Sequence, residues 1–131
     1  ELRPYQLDGF RWLMRLADWG VGACLADDMG LGKTIQGLAM LQARAELGPA
    51  LVIAPASVTR NWVREAAKFA PTLNSVLLGQ GDRKEAIESV GPYDMLVVSY
   101  GLLPFEGDAL SLIPLSEPRR LPSRPYACLR L

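Results

Sequence analysis

Leu25–Thr34 reads L-A-D-D-M-G-L-G-K-T, and the order of residue types in it decides the fold. Gly30 and Gly32 let the backbone turn tightly and aim successive N–H groups at one point. The Lys33–Thr34 pair opens a helical pattern, whose unpaired N–H groups and positive dipole end favour an anion. Lys33 has the reach for the β- and γ-phosphates of a nucleotide, and the Thr34 hydroxyl suits a Mg²⁺ ligand. The strict G-x-x-x-x-G-K-[ST] form would place glycine at position 27, where this chain has Asp27. A bare G-x-G-K-T also occurs as a glycine turn before a helix, so the flanking segments decide.

Those segments alternate between two periods. Pro4–Asp18 repeats Tyr5, Phe10, Leu13, Met14 and Leu16 at helical spacing and ends at Gly20 and Gly22. Val21–Ala26 is a short apolar run, expected to be a buried strand. A helix is expected from Lys33 to about Leu47, stopped by Gly48–Pro49. Ala50–Ala54 predicts a strand, Val58–Phe69 a helix, Asn74–Leu78 a strand, Asp82–Val90 a short polar helix and Met95–Ser99 a fourth strand. Strands and helices in this order imply an α/β fold with a parallel sheet flanked by helices. In that setting the glycine loop reads as a nucleotide-binding loop.

Composition narrows the function classes. The chain has 131 residues, half of them hydrophobic and 21% charged, which suits one globular domain. Fourteen basic residues balance fourteen acidic ones, so any affinity for nucleic acid must come from a local surface. Without histidine, and with only Cys24 and Cys128 far apart, neither a zinc cluster nor a histidine-based catalytic centre can be built. Cys24, inside the apolar run, is expected to be a buried thiol. No stretch approaches the roughly 20 apolar residues of a membrane span, so no membrane partner is expected. The expected location is the cytosol, or the nucleoid or nucleus if the protein acts on DNA.

The phosphate-loop stretch resembles motif I of the SWI/SNF-type ATPases, a branch of the superfamily-two helicases. That family's pattern of two acidic residues before Met-Gly-Leu-Gly-Lys-Thr accounts for Asp27. Four more stretches resemble the family in order. Leu2–Leu13 is similar to the segment upstream of motif I, where a glutamine helps to recognise adenine; the role falls on Gln6. Leu51–Phe69 resembles motif Ia, which lies against the DNA backbone. Val76–Arg83 resembles the following strand and loop, and Asp94–Leu103 the strand and Ser-Tyr turn of motif Ib.

The resemblance implies a RecA-like P-loop sheet with an N-terminal helix, incomplete over residues 1–110, and two ligands, ATP with Mg²⁺ and double-stranded DNA. It implies a nucleotide site from Gln6, Asp28, Met29, Gly30, Leu31, Gly32, Lys33 and Thr34. Lys33 and Thr34 would be its catalytic members, and Thr34 the Mg²⁺ ligand. Pro55, Ser57, Asn61, Ser99 and Tyr100 would contact the DNA backbone. Simpler readings stand beside these. Gln6 fits a surface helix position, and Ser57 fits an N-cap. Trp12, Trp19 and Trp62 fit core or helix packing, and Arg60 and Arg64 fit solvated helix charges.

An ATPase of this family needs an Asp-Glu-x-His or Asp-Glu-x-Gln strand after motif Ib, and no Asp-Glu pair occurs in the 131 residues. The second lobe with its arginine fingers is also missing. The stretch is therefore expected to bind ATP without turning it over alone. A non-catalytic nucleotide- or DNA-binding module, or a degenerate remnant, is the alternative. A kinase or GTPase fits less well, because the upstream glutamine segment is present and a guanine-reading Asn-Lys-x-Asp is not. Residues 111–131 hold four Pro, four Arg, five Leu and three Ser. They are expected to form an irregular tail, read as the frameshifted or mispredicted end of a longer gene, with a genuine divergent or disordered C-terminus as the alternative. Oligomeric state is left open by the sequence.

Overall fold

The computed structural model describes residues 1–25, 32–79 and 83–102. Their elements run α1 (Pro4–Asp18), α2 (Lys33–Ala43), β1 (Ala50–Ala54), α3 (Ala56–Phe69), β2 (Asn74–Leu77), α4 (Arg83–Glu88) and β3 (Asp94–Ser99). Single 3-10 turns follow α2 and β3, at Ala45–Leu47 and Tyr100–Leu102. The three strands form one sheet in the order β1-β3-β2, both pairings parallel. The fold is a parallel sheet flanked by helices, as the alternating pattern implies. No helix of the described residues is long and apolar enough to cross a membrane.

Alternation along the strands divides the core into two layers. Ala50, Val52 and Ala54 with Met95 and Val97 face Leu38 and Leu41 of α2 and Trp62 and Ala66 of α3. Leu51, Leu96 and Val98 face the other way, with Leu78 and Ile87. The central strand β3 is therefore buried on both faces, which is why its run M-L-V-V lacks polar alternation. At its start Asp94 fixes the turn, accepting Asn74 Nδ2 at 2.9 Å and the Gly91 N–H at 2.8 Å.

Helix α1 rests chiefly on α2. Gln6, Leu13 and Ala17 line its buried stripe, and the spacing also places Gly9 on that face. Its C-terminus closes as a Schellman motif: Gly20, at φ 71°, donates to the Ala17 carbonyl and Val21 donates to the Leu16 carbonyl. Beyond that turn the structure departs from expectation. Residues 21–25 form no strand, and Ala26 lies outside the described residues. Val21 is 52% exposed, and Cys24 is an exposed free thiol, not a buried one. The run contains Gly22, which weakens a strand. Among the described residues the ladder partner of β1 is β3, and no other strand edge pairs with the run.

Two tryptophans also differ from expectation. Trp62 is core at 3% exposure, but Trp12 is 37% and Trp19 74% exposed. Trp12 lies on the flank of α1 beside its buried stripe, and Trp19 is the C-cap, past the packed part of the helix. Helix α2 ends at Ala43, before the 3-10 turn, so the expected helix to Leu47 breaks in its last turn. Residues 103–131, including the whole expected tail, lie outside the described residues.

Candidate nucleotide and nucleic-acid site

Helix α2 begins at Lys33 behind Gly32, whose backbone is left-handed at φ 78° and ψ 45°. That conformation costs a non-glycine residue about 1–2 kcal/mol, so glycine at 32 is a requirement of the turn. Among the described residues no side chain caps α2. Its first-turn N–H groups therefore point out of the helix without the Ser, Thr, Asp or Asn partner that usually satisfies one of them. Lys33 and Thr34 follow immediately, both half-buried. An uncapped helix start, a glycine hinge, an amine and a hydroxyl make a donor set that fits a nucleotide phosphate with its Mg²⁺. Asp28, Met29, Gly30 and Leu31 of the expected set lie outside the described residues.

Gln6 joins this site from α1. It is 6% exposed, which removes the surface reading. Its side-chain oxygen accepts the Arg3 N–H at 2.9 Å, turning the amide nitrogen towards Gly32. A Cβ on residue 32 would fall on that nitrogen, and its distance to the Gln6 Cδ would be 3.6 Å. Gln6 thus lies against the backbone of the turn that launches Lys33 and Thr34.

The sequence reading missed the second half of this contact. Gln36, one helical turn into α2, is fully buried, and its N–H donates to the Gly32 carbonyl at 3.3 Å. Its side chain fills the place a Cβ on Gly9 would take, with the Gln36 Cδ 3.1 Å from that position. A glycine inside a helical pattern costs about 1 kcal/mol relative to alanine. Gly9 therefore carried a legible sign of close packing, and Gln36 another, as a polar residue beside the apolar Leu38 and Leu41. Further along, Arg44 ties the two helices again, its guanidinium 3.7 Å from the Asp18 carboxylate.

Of the expected DNA-contacting residues, Pro55, Ser99 and Tyr100 lie at the carboxyl ends of β1 and β3, and Ser57 and Asn61 follow in α3. Ala54 pairs with Ser99 in register, so Pro55 and Tyr100 leave adjacent strands side by side at their carboxyl ends. Ligands of open parallel sheets bind at such ends. Pro55, Ser57 and Asn61 are exposed, Ser99 is half-buried, and Tyr100 is 41% exposed. Ser57 is not the N-cap. Helix α3 starts two residues before the expected Val58, with Pro55 at the cap in extended conformation, φ −57° and ψ 145°. Proline already holds that φ and needs no N–H there, so the helix begins directly behind the strand. Arg60 and Arg64 lie on the exposed face of α3.

Comparison with known proteins places this architecture. Residues 5–121 match the family model of the SNF2-related domain. YwqA of Bacillus subtilis is 46% identical over 120 residues, covering 86% of this chain and 13% of that protein. The ISWI chromatin-remodeling complex ATPase ISW1 of Saccharomyces cerevisiae is 37% identical over 123 residues, covering 86% of this chain and 11% of its own length. The Sulfolobus solfataricus SWI2/SNF2 ATPase core in complex with dsDNA superposes with a TM-score of 0.77 at 39% identity, over 88% of this chain and 25% of that one. The chain thus spans a small share of each.

Proposed function

The chain belongs to the SNF2-related family, and from that premise we propose that it is the ATP-binding part of a DNA-dependent ATPase of the helicase and translocase type. The observation that carries the reading is the start of α2. Gly32 is left-handed, no side chain among the described residues caps the helix, and Lys33 and Thr34 stand next in line. Lys33 would hold the β- and γ-phosphates and Thr34 the Mg²⁺, with Gln6 beside them for the base. The metal would supply charge neutralisation across the phosphates.

Double-stranded DNA is the second ligand in this reading. Pro55, Ser57, Asn61, Ser99 and Tyr100 would hold its backbone at the carboxyl end of the sheet, and α3 offers its N-terminal N–H groups there. These 131 residues hold no Asp-Glu pair of the kind that would activate the attacking water. The stretch alone would therefore bind ATP without hydrolysing it.

The test is thermal unfolding with and without ATP and Mg²⁺, beside a phosphate-release assay with duplex DNA. Ligand at one hundred times Kd stabilises by about 2.7 kcal/mol, a rise of several degrees for a domain this size. The expected result is that rise with no phosphate released. An unchanged unfolding temperature at millimolar ATP would refute nucleotide binding, and DNA-stimulated phosphate release would refute the absence of turnover.

A further inference from the structure

Four residues close a circuit between α1 and α2. The Gln6 amide lies on Gly32. The Gly32 carbonyl accepts the Gln36 N–H at 3.3 Å. The Gln36 side chain lies on Gly9, and Gly9 is three residues from Gln6 on the buried face of α1. Each glutamine occupies the space that a glycine of the other segment leaves open. Because α1 rests chiefly on α2, this crossing is what sets its height and rotation at the nucleotide end.

We propose that Gln36 is a positioning residue. Seated in the gap left by Gly9, it holds α1 where the Gln6 carboxamide meets Gly32, and so couples recognition of the base to the phosphate-binding turn. The proposal rests on the nucleotide reading above, but its mechanical part does not. A Cβ at position 9 would land on the Gln36 side-chain oxygen. Either the glutamine or the helix must move, and with the helix would go Gln6. Lys33 and Thr34 belong to α2 and would stay. Disturbing the crossing should thus weaken selection of the base more than grip on the phosphates.

Two readouts on four proteins test this: wild type, Gly9→Ala, Gln36→Ala and the double variant. The first is the affinity for ATP against that for inorganic tripolyphosphate, both with Mg²⁺. Losing one positioned hydrogen-bonding group costs about five- to tenfold in affinity. Gly9→Ala is expected to lose that much for ATP and less than about twofold for tripolyphosphate. In the double variant the methyl group added at position 9 meets no glutamine, and part of the ATP affinity lost in Gly9→Ala is expected to return. Parallel losses for both ligands, or a double variant no better than Gly9→Ala, would overturn the proposal.

The second readout, unfolding temperature, needs no ligand. Rescue of Gly9→Ala by Gln36→Ala supports the crossing, and additive losses refute it. If wild type binds neither ligand, the nucleotide reading and the coupling proposed on it fail together, and this cycle still decides the mechanical part. If wild type binds both ligands equally well, base recognition by Gln6 fails and the coupling is overturned.

Discussion

The amide nitrogen of Gln6 occupies the place that a Cβ on residue 32 would take. The start of α1 and the turn that launches Lys33 and Thr34 are therefore in van der Waals contact. Gly32 is constrained twice, once by its left-handed φ of 78° and once by its neighbour.

Gly32→Ala should consequently destabilise the chain by more than conformation alone. The left-handed backbone costs about 1–2 kcal/mol for alanine, and displacement of Gln6 adds to it. Pairing it with Gln6→Ala should return only the second part. Urea unfolding of the three variants measures this, and a Gly32→Ala protein as stable as wild type would contradict it.

Two tryptophans separate core from surface. Trp62 packs among Leu38, Leu41, Val52 and Val97 at 3% exposure, so Trp62→Ala should cost about 3–5 kcal/mol. That is a large part of the roughly 5–15 kcal/mol typical of a domain. Trp19→Ala, at a position 74% exposed, should stay within about 0.5 kcal/mol of wild type. Equal losses for both would show that the packing of α1 is wrong as described.

Most of this architecture was legible in the chain. The bounds of α1 and β1 follow from Pro4, from the turn beginning at Gly20 and from the apolar run A-L-V-I-A. Period-two and helical patterns gave the other elements to within two to four residues. The run at residues 21–25 misled because apolar composition does not record whether a strand pairs with it, and among the described residues none does. Trp12 misled for a related reason: one turn of α1 carries more large side chains than its single packed face can bury. The helix start at Lys33 and Thr34 was legible because the glycine turn before it is local. The contacts of Gln6 with Gly32 and of Gln36 with Gly9 were not, since they depend on the distance between two helices.

Alkaline pH should weaken the far end of the sheet. The Tyr93 hydroxyl donates to the Glu46 carboxylate at 3.1 Å. That bond, then desolvation, then the charge of Glu46 raise its pKa above the ordinary tyrosine value. The folded state thus holds the proton more tightly than the unfolded state. The contribution is fully present below the unfolded pKa, near pH 10, and is lost as pH rises through the folded one. Tyr93→Phe should flatten the fall in stability above about pH 10, measured by denaturant midpoints. An unchanged slope would remove Tyr93 as its source.

The DNA role proposed for Pro55, Ser57, Asn61, Ser99 and Tyr100 can be tested without ATP. Ser57→Ala, Asn61→Ala and Tyr100→Ala together should weaken duplex DNA at low salt by about tenfold or more, with no dependence on base sequence. Fluorescence anisotropy of labelled duplexes reads this out. Retained affinity in the triple variant would move the DNA elsewhere.

The most direct measurement is calorimetric titration of ATP with Mg²⁺ into the wild-type chain and Lys33→Ala, both checked for a folded far-ultraviolet spectrum. Heat of binding in wild type that vanishes in Lys33→Ala is the predicted result. A folded wild-type chain that binds no ATP, or one whose affinity survives the loss of Lys33, would contradict the account.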